Sequence, residues 1–209
     1  MLALLASFGQ VEPRGENPAI RVNTLFGSTG LITVPTSTTT RVERFQLGTA
    51  LGKDIRTVSV NWGIFDSIEI GGTVVDRTNQ NNKVIATAKL TIIPQNFEWL
   101  ELGFGTIDPF DAINNTVYGM ASVNVRVPTE TADQVVGLRL HLGYGTGIYR
   151  DKVIGGGEVF LGNRFSVVAE YNGVDTNIAL RYVHDDALRL QLGTQAKVIY
   201  FSTTYGLSF

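Results

Sequence analysis

From Arg41 to the end of this 209-residue chain, apolar and polar residues keep changing places. In "GLRLHLGY", Leu138, Leu140, Leu142 and Tyr144 alternate with Arg139, His141 and Gly143. "FSVVAEY" separates Phe165, Val167, Ala169 and Tyr171 from Ser166, Val168 and Glu170, and "LRLQLG" separates three leucines from Arg189, Gln191 and Gly193. Side chains of an extended strand point to opposite faces in turn, so period two gives each segment a greasy face and a polar one. About twelve such segments of about seven to twelve residues follow one another, divided by turn signals such as "FDS", "PQN", "PTETAD", "GNR", "NGVD" and "HDD". No stretch reads as an amphipathic helix. The chain is predicted to be all-β.

Composition removes several classes of function. Cysteine is absent, which excludes disulfides, thiol chemistry and Cys-based metal sites, and the formal charge of −2 gives no reason to expect a nucleic-acid partner. The two histidines, His141 and His184, lie far apart and lack ligand spacing, so neither a metal nor a cofactor is expected. The glycine-rich "GYGTG" and "IGGGE" open no helix and do not read as phosphate loops; strand bending or relief of crowding explains them better. No apolar run reaches the roughly 18–20 residues of a membrane helix. The opening "MLALLASFGQVEPRGENPA" has an apolar stretch without preceding basic residues, and residues 1–24 read either as a signal remnant or as a disordered N-terminus.

Alternation fits both a soluble sandwich, greasy face inward, and a membrane barrel, greasy face outward. Secondary features favour the barrel. The polar face is rich in Gly, Ser, Thr, Asn and Gln with isolated charges, whereas a water-facing strand carries denser Lys and Glu. Strand lengths suit a tilted crossing of the hydrocarbon layer. Trp62, Phe104, Tyr144, Tyr171, Tyr182 and Phe209 read as aromatic girdles at strand ends. Connections on the side of the chain termini are mostly short, and those opposite include the longer "DRTNQNNK", "TIDPFDAINN" and "GTGIYRDK". The expectation is therefore a closed antiparallel transmembrane β-barrel of about twelve strands over residues 41–209.

Parity then assigns the lumen. Arg44, Lys89, Arg126, Arg139, Arg181 and Arg189 point inward with Glu69, Glu101, Glu158, Glu170 and His141. An Arg or Lys facing lipid near the midplane costs roughly 2–4 kcal/mol, which favours this parity. The near-balanced charges read as a structural network of pairs, or as a binding or conducting lumen that meets sugar hydroxyls and uronate carboxylates. Glu158 and Glu170, on neighbouring strands, are the one pair of carboxylates suggestive of acid–base chemistry, but no catalytic residue is assigned and no enzyme is expected. A barrel of this size has more interior than side chains fill. Residues 25–40, with Leu31, Ile32 and Val34 among small polar residues and Pro35 fixing an extended turn, either hang in the periplasm or fold back into the lumen as a plug, and partial insertion is the favoured expectation.

The closing "VIYFSTTYGLSF" resembles the C-terminal strand of bacterial outer-membrane barrels, with Tyr205, Leu207 and Phe209 as an assembly signal. That resemblance implies insertion into outer-membrane lipid by the barrel assembly machinery. Further stretches resemble the YjbH family of outer-membrane proteins: "LFGSTGLITVPTSTT", "WGIFDSIEIGGTVVD", "LRLHLGYGTG", "GGGEVFLGNRFSVVAEYNG" and "NIALRYV", in that order. The resemblance runs from about residue 25 and implies a compact barrel that assists export or surface assembly of a polysaccharide, with the glycan or export proteins as partners. The alternative is a passive pore or structural envelope barrel without glycan specificity.

Overall fold

The structure is a computed structural model that describes residues 21–78, 80–97, 99–127, 136–162 and 164–208. Twelve strands run in chain order: β1 (Arg44–Gly52), β2 (Ile55–Phe65), β3 (Ile68–Arg77), β4 (Lys83–Ile92), β5 (Leu100–Ile107) and β6 (Thr116–Val127), then β7 (Val136–Gly145), β8 (Lys152–Leu161), β9 (Phe165–Tyr171), β10 (Thr176–Val183), β11 (Leu188–Gln195) and β12 (Val198–Ser208). Each pairs antiparallel with its neighbour, and β1 pairs with β12 from Arg44 opposite Ser208 to Gly52 opposite Tyr200, closing the sheet. Closure leaves no unpaired edge. A turn of 3-10 helix, Gly147–Tyr149, caps the β7–β8 connection.

Burial follows the two-residue period. Along β12, Ile199, Phe201, Tyr205 and Leu207 are exposed while Tyr200, Ser202 and Thr204 are buried. The same division holds on β7, where Leu140 and Leu142 face out and Arg139 and His141 face in. A continuous outer band of exposed Leu, Val, Ile and Phe around a polar interior inverts the soluble pattern, so the barrel is a transmembrane one. Two ring pairs, Phe45 with Trp62 at 5.5 Å and Phe165 with Tyr182 at 5.0 Å, sit at strand ends on the side of the termini. Tyr144 and Tyr171 close β7 and β9 at the opposite end. Phe104 is a correction to the girdle expectation. It faces outward from mid-strand opposite Leu90, since β5 runs on three residues to Ile107.

Candidate functional site: the occupied lumen

Every residue from Arg21 to Thr40 is buried inside the barrel. The buried stretch thus includes Arg21 to Thr24, ahead of the boundary expected at residue 25. It folds on itself through two tight turns, with Gly27 N–H donating to the Thr24 carbonyl at 3.0 Å and Leu31 N–H to the Val34 carbonyl at 2.9 Å. Gly27 takes a φ of 102°, which favours glycine. Leu31, Ile32 and Val34 have no exposed surface. Leu31 and Ile32 pack with Val168, Ala179 and Tyr200, and Val34 joins Phe26 against Val75, Ile85, Tyr118 and Tyr149.

Carboxylates on the barrel wall hold this plug. Glu170 on β9 accepts the successive backbone N–H groups of Ile32 at 2.8 Å, Thr33 at 2.9 Å and Val34 at 3.1 Å, and also the Thr33 hydroxyl at 2.6 Å. Consecutive amides turned to one side form a concave anion site, filled here by the protein's own side chain. Glu69 on β3 accepts from Thr29 N–H at 3.0 Å and Thr40 N–H at 2.7 Å, and from the hydroxyls of Ser28, Thr29 and Thr40. Glu101 on β5 accepts from the hydroxyls of Ser37 at 3.1 Å and Thr38 at 3.2 Å.

The wall's cations complete the arrangement. Lys89 lies 3.5 Å from Glu69 and donates to the Thr29 carbonyl at 2.8 Å. Arg139 pairs with Glu101 at 2.7 Å, and Arg181 with Glu158 at 3.0 Å. Arg181 also reaches the plug, donating to the carbonyls of Gly30 at 2.7 Å and Leu31 at 2.5 Å. Among the described residues, Arg44 and Arg189 meet no carboxylate; both donate to the Asp186 carbonyl, at 2.5 and 2.6 Å. That carbonyl sits in the β10–β11 turn, where the Leu188 and Ala187 amides donate to the Asp185 carboxylate and hold it below the usual carboxylate range. His141 is buried beside Ser122, with 2.7 Å between Nδ1 and Oγ.

Of the eleven residues assigned inward by parity, ten are buried toward the lumen. The backbone of Arg126 belongs to β6, but its side chain lies outside the described residues, as does the whole of Phe209. Tyr205 and Leu207 face outward. Glu158 and Glu170 do not form a working pair: Glu158 is tied to Arg181 and to the Ser166 hydroxyl at 2.5 Å, Glu170 to the plug and to Asn177 at 2.9 Å.

One further feature was not anticipated. Tyr118, Tyr149 and Tyr200 point inward and supply apolar surface on the polar side. Tyr149 donates to the Thr33 carbonyl at 2.8 Å, and burial pushes its phenol well above the ordinary tyrosine value. Glycines also make room where the plug meets the wall. A Cβ on Gly103 would lie 2.6 Å from the Ser37 Cα, and one on Gly156 would lie 2.7 Å from a Leu31 methyl.

No protein-family model matches the chain, and no curated protein matches it either. Among solved structures, it is similar to a KdgM porin in complex with disordered oligogalacturonate (TM-score 0.52, 12% identity), over 79% of this chain and 99% of that one. A second KdgM porin structure gives a TM-score of 0.50 at 12% identity with the same coverage. The outer membrane protein Omp33 of Acinetobacter baumannii gives 0.46 at 8% identity, over 79% and 97% of the two chains. At this level of identity, what the chain shares with the KdgM porins is the closed-barrel fold.

Proposed function

We propose that the protein is a non-enzymatic barrel of the bacterial outer membrane that assists export or surface assembly of an acidic polysaccharide, and that its lumen is shut at rest. The observation that carries the closed state is the grip of Glu69, Glu101 and Glu170 on residues 28–40. Passage of any chain-like cargo then requires the plug to leave. Outer-membrane placement is supported by the apolar outer band and by the fold shared with KdgM porins. A role with glycans is supported by the ordered resemblance to the YjbH family and by buried guanidinium groups, which suit uronate carboxylates. The oligogalacturonate named with one KdgM porin belongs to that protein and adds an example of an acidic sugar polymer in such a fold.

A second reading, a structural envelope barrel, is favoured by how completely residues 21–40 fill the interior. Planar-bilayer recordings combined with a surface-glycan assay separate the two. The intact chain is expected to conduct poorly and removal of residues 1–36 to raise the current. Loss of the gene is expected to lower surface glycan, and the full chain to restore it. Large steady currents from the intact chain would sink the plug. Unchanged surface glycan with the gene absent would leave the structural reading.

A further inference from the structure

At the end of the barrel where both described chain ends lie, Arg44 begins β1 and Arg189 is the second residue of β11. They flank β12 on its inner face, opposite Ser208 and Thr204. Arg44 is 8% exposed and Arg189 1%. Each gives one Nη2 to the same neutral acceptor, the Asp186 carbonyl. Among the described residues, the Nε of Arg44 and the Nε and Nη1 of Arg189 are buried without an acceptor, and the Ser202 hydroxyl further along β12 is buried without a hydrogen-bond partner. Among the described residues, no carboxylate comes within 4.0 Å of either guanidinium group.

The surroundings make this more positive. Arg41 and Arg44 both lie in electrostatic range of Arg189, and Arg21 is within range of Arg41, Arg139 and Arg189 as well as of the Glu101 carboxylate. Asp185 and Asp186 are the acids in range of Arg189, and both are exposed in the turn outside. Two buried like charges converging on one carbonyl repel each other and leave donors unmet, an arrangement that burial makes expensive. An oxyanion between them would answer both deficits, since guanidinium forks match carboxylate and phosphate geometry.

We propose that Arg44 and Arg189 form a binding site for a single oxyanion, a carboxylate or phosphate group, at the mouth of the barrel beside the β10–β11 turn. The site is distinct from the three ion pairs deeper in the wall, whose carboxylates are already taken. It does not depend on the plug being a gate, nor on the cargo being a glycan.

The test uses the full chain refolded in zwitterionic detergent micelles. Its unfolding temperature is followed while inorganic phosphate, galacturonate or neutral galactose is titrated at constant ionic strength set with chloride. Phosphate, galacturonate or both should raise the unfolding temperature along a saturating curve, and galactose should do nothing. Tighter binding of galacturonate would identify a sugar acid as the source, and tighter binding of phosphate a phosphate group. R44Q and R189Q should each weaken the half-saturating concentration about tenfold, the scale of one charged hydrogen bond. Gly206→Ala gives a third variant that keeps both charges, because its Cβ would come 2.6 Å from the Arg44 Nε and displace that side chain. It should weaken binding too. No saturable response to either anion in the wild-type chain, or an unchanged response in R44Q, R189Q and Gly206→Ala alike, would overturn the site.

Discussion

Glu170 on the barrel wall and Thr33 in the plug are joined twice over, since one carboxylate oxygen accepts both the Thr33 backbone N–H at 2.9 Å and its hydroxyl at 2.6 Å. With the Ile32 and Val34 amides on the other oxygen, a single side chain satisfies three consecutive backbone donors. Glu170→Ala strips them of their acceptor in a dry interior, at about 1–3 kcal/mol for each buried group left unsatisfied. The plug should loosen while the barrel persists. Bilayer current should rise, and amide exchange at residues 32–34 should speed up without loss of heat-modifiable barrel.

Gly103 tests a second contact between plug and wall without touching charge. Its missing side chain lets the Ser37 backbone lie against β5, and a Cβ would stand 2.6 Å from the Ser37 Cα. Gly103→Val should push residues 36–38 off the wall at a cost of about 1–3 kcal/mol, the usual range for overpacking. Faster exchange of the Ser37 amide, with the strand amides still protected, is the expected signature.

The outer face answers to lipid. Leu192, 54% exposed in the middle of β11, should tolerate replacement by Phe and resist replacement by Arg. Leu192→Arg is expected to cost about 2–4 kcal/mol if the residue lies near the bilayer midplane. Reversible unfolding in lipid vesicles measures it.

The closing strand carries a prediction about assembly. Tyr205 and Leu207 continue the lipid-facing row toward the end of the chain. Phe209→Asp should therefore lower the yield of membrane-inserted barrel more than Ser208→Asp does. Equal yields from the two would remove the terminal aromatic from the recognised signal.

Strand number and the inward parity of Arg139, Glu170 and their neighbours were legible in the sequence because alternation reports faces directly, whereas closure had to be read from strand length, the sparsely charged polar face and the connections. Where both parities are apolar, that signal fails. "TVV" in β3 hides that Val74 faces out and Val75 in, and the buried Tyr200 follows the exposed Ile199. Ion-pair partners along the inner wall were beyond reach for another reason. Glu101 meets Arg139, and Glu158 meets Arg181, each past one intervening strand, so the pairing is set by register and sheet curvature that alternation does not report. The main ligands of Glu170 are backbone amides, which no side-chain pattern announces.

The path of the plug has a mechanical consequence. Arg21 donates to the Thr39 carbonyl at 3.1 Å, so the two ends of the segment lie side by side, and Thr39 reaches the Asp66 carbonyl of the β2–β3 turn at 2.9 Å. Tension applied ahead of Arg21, with the far end anchored by β1, does not shear all the contacts together. It peels them in chain order: the Arg21 bonds yield first, then Asn23 from Ser59 and Thr204, then Thr29 from Glu69, and only afterwards residues 32–34 from Glu170. A segment held by many bonds at equilibrium can thus be drawn out by a force that never has to break more than a few of them at once.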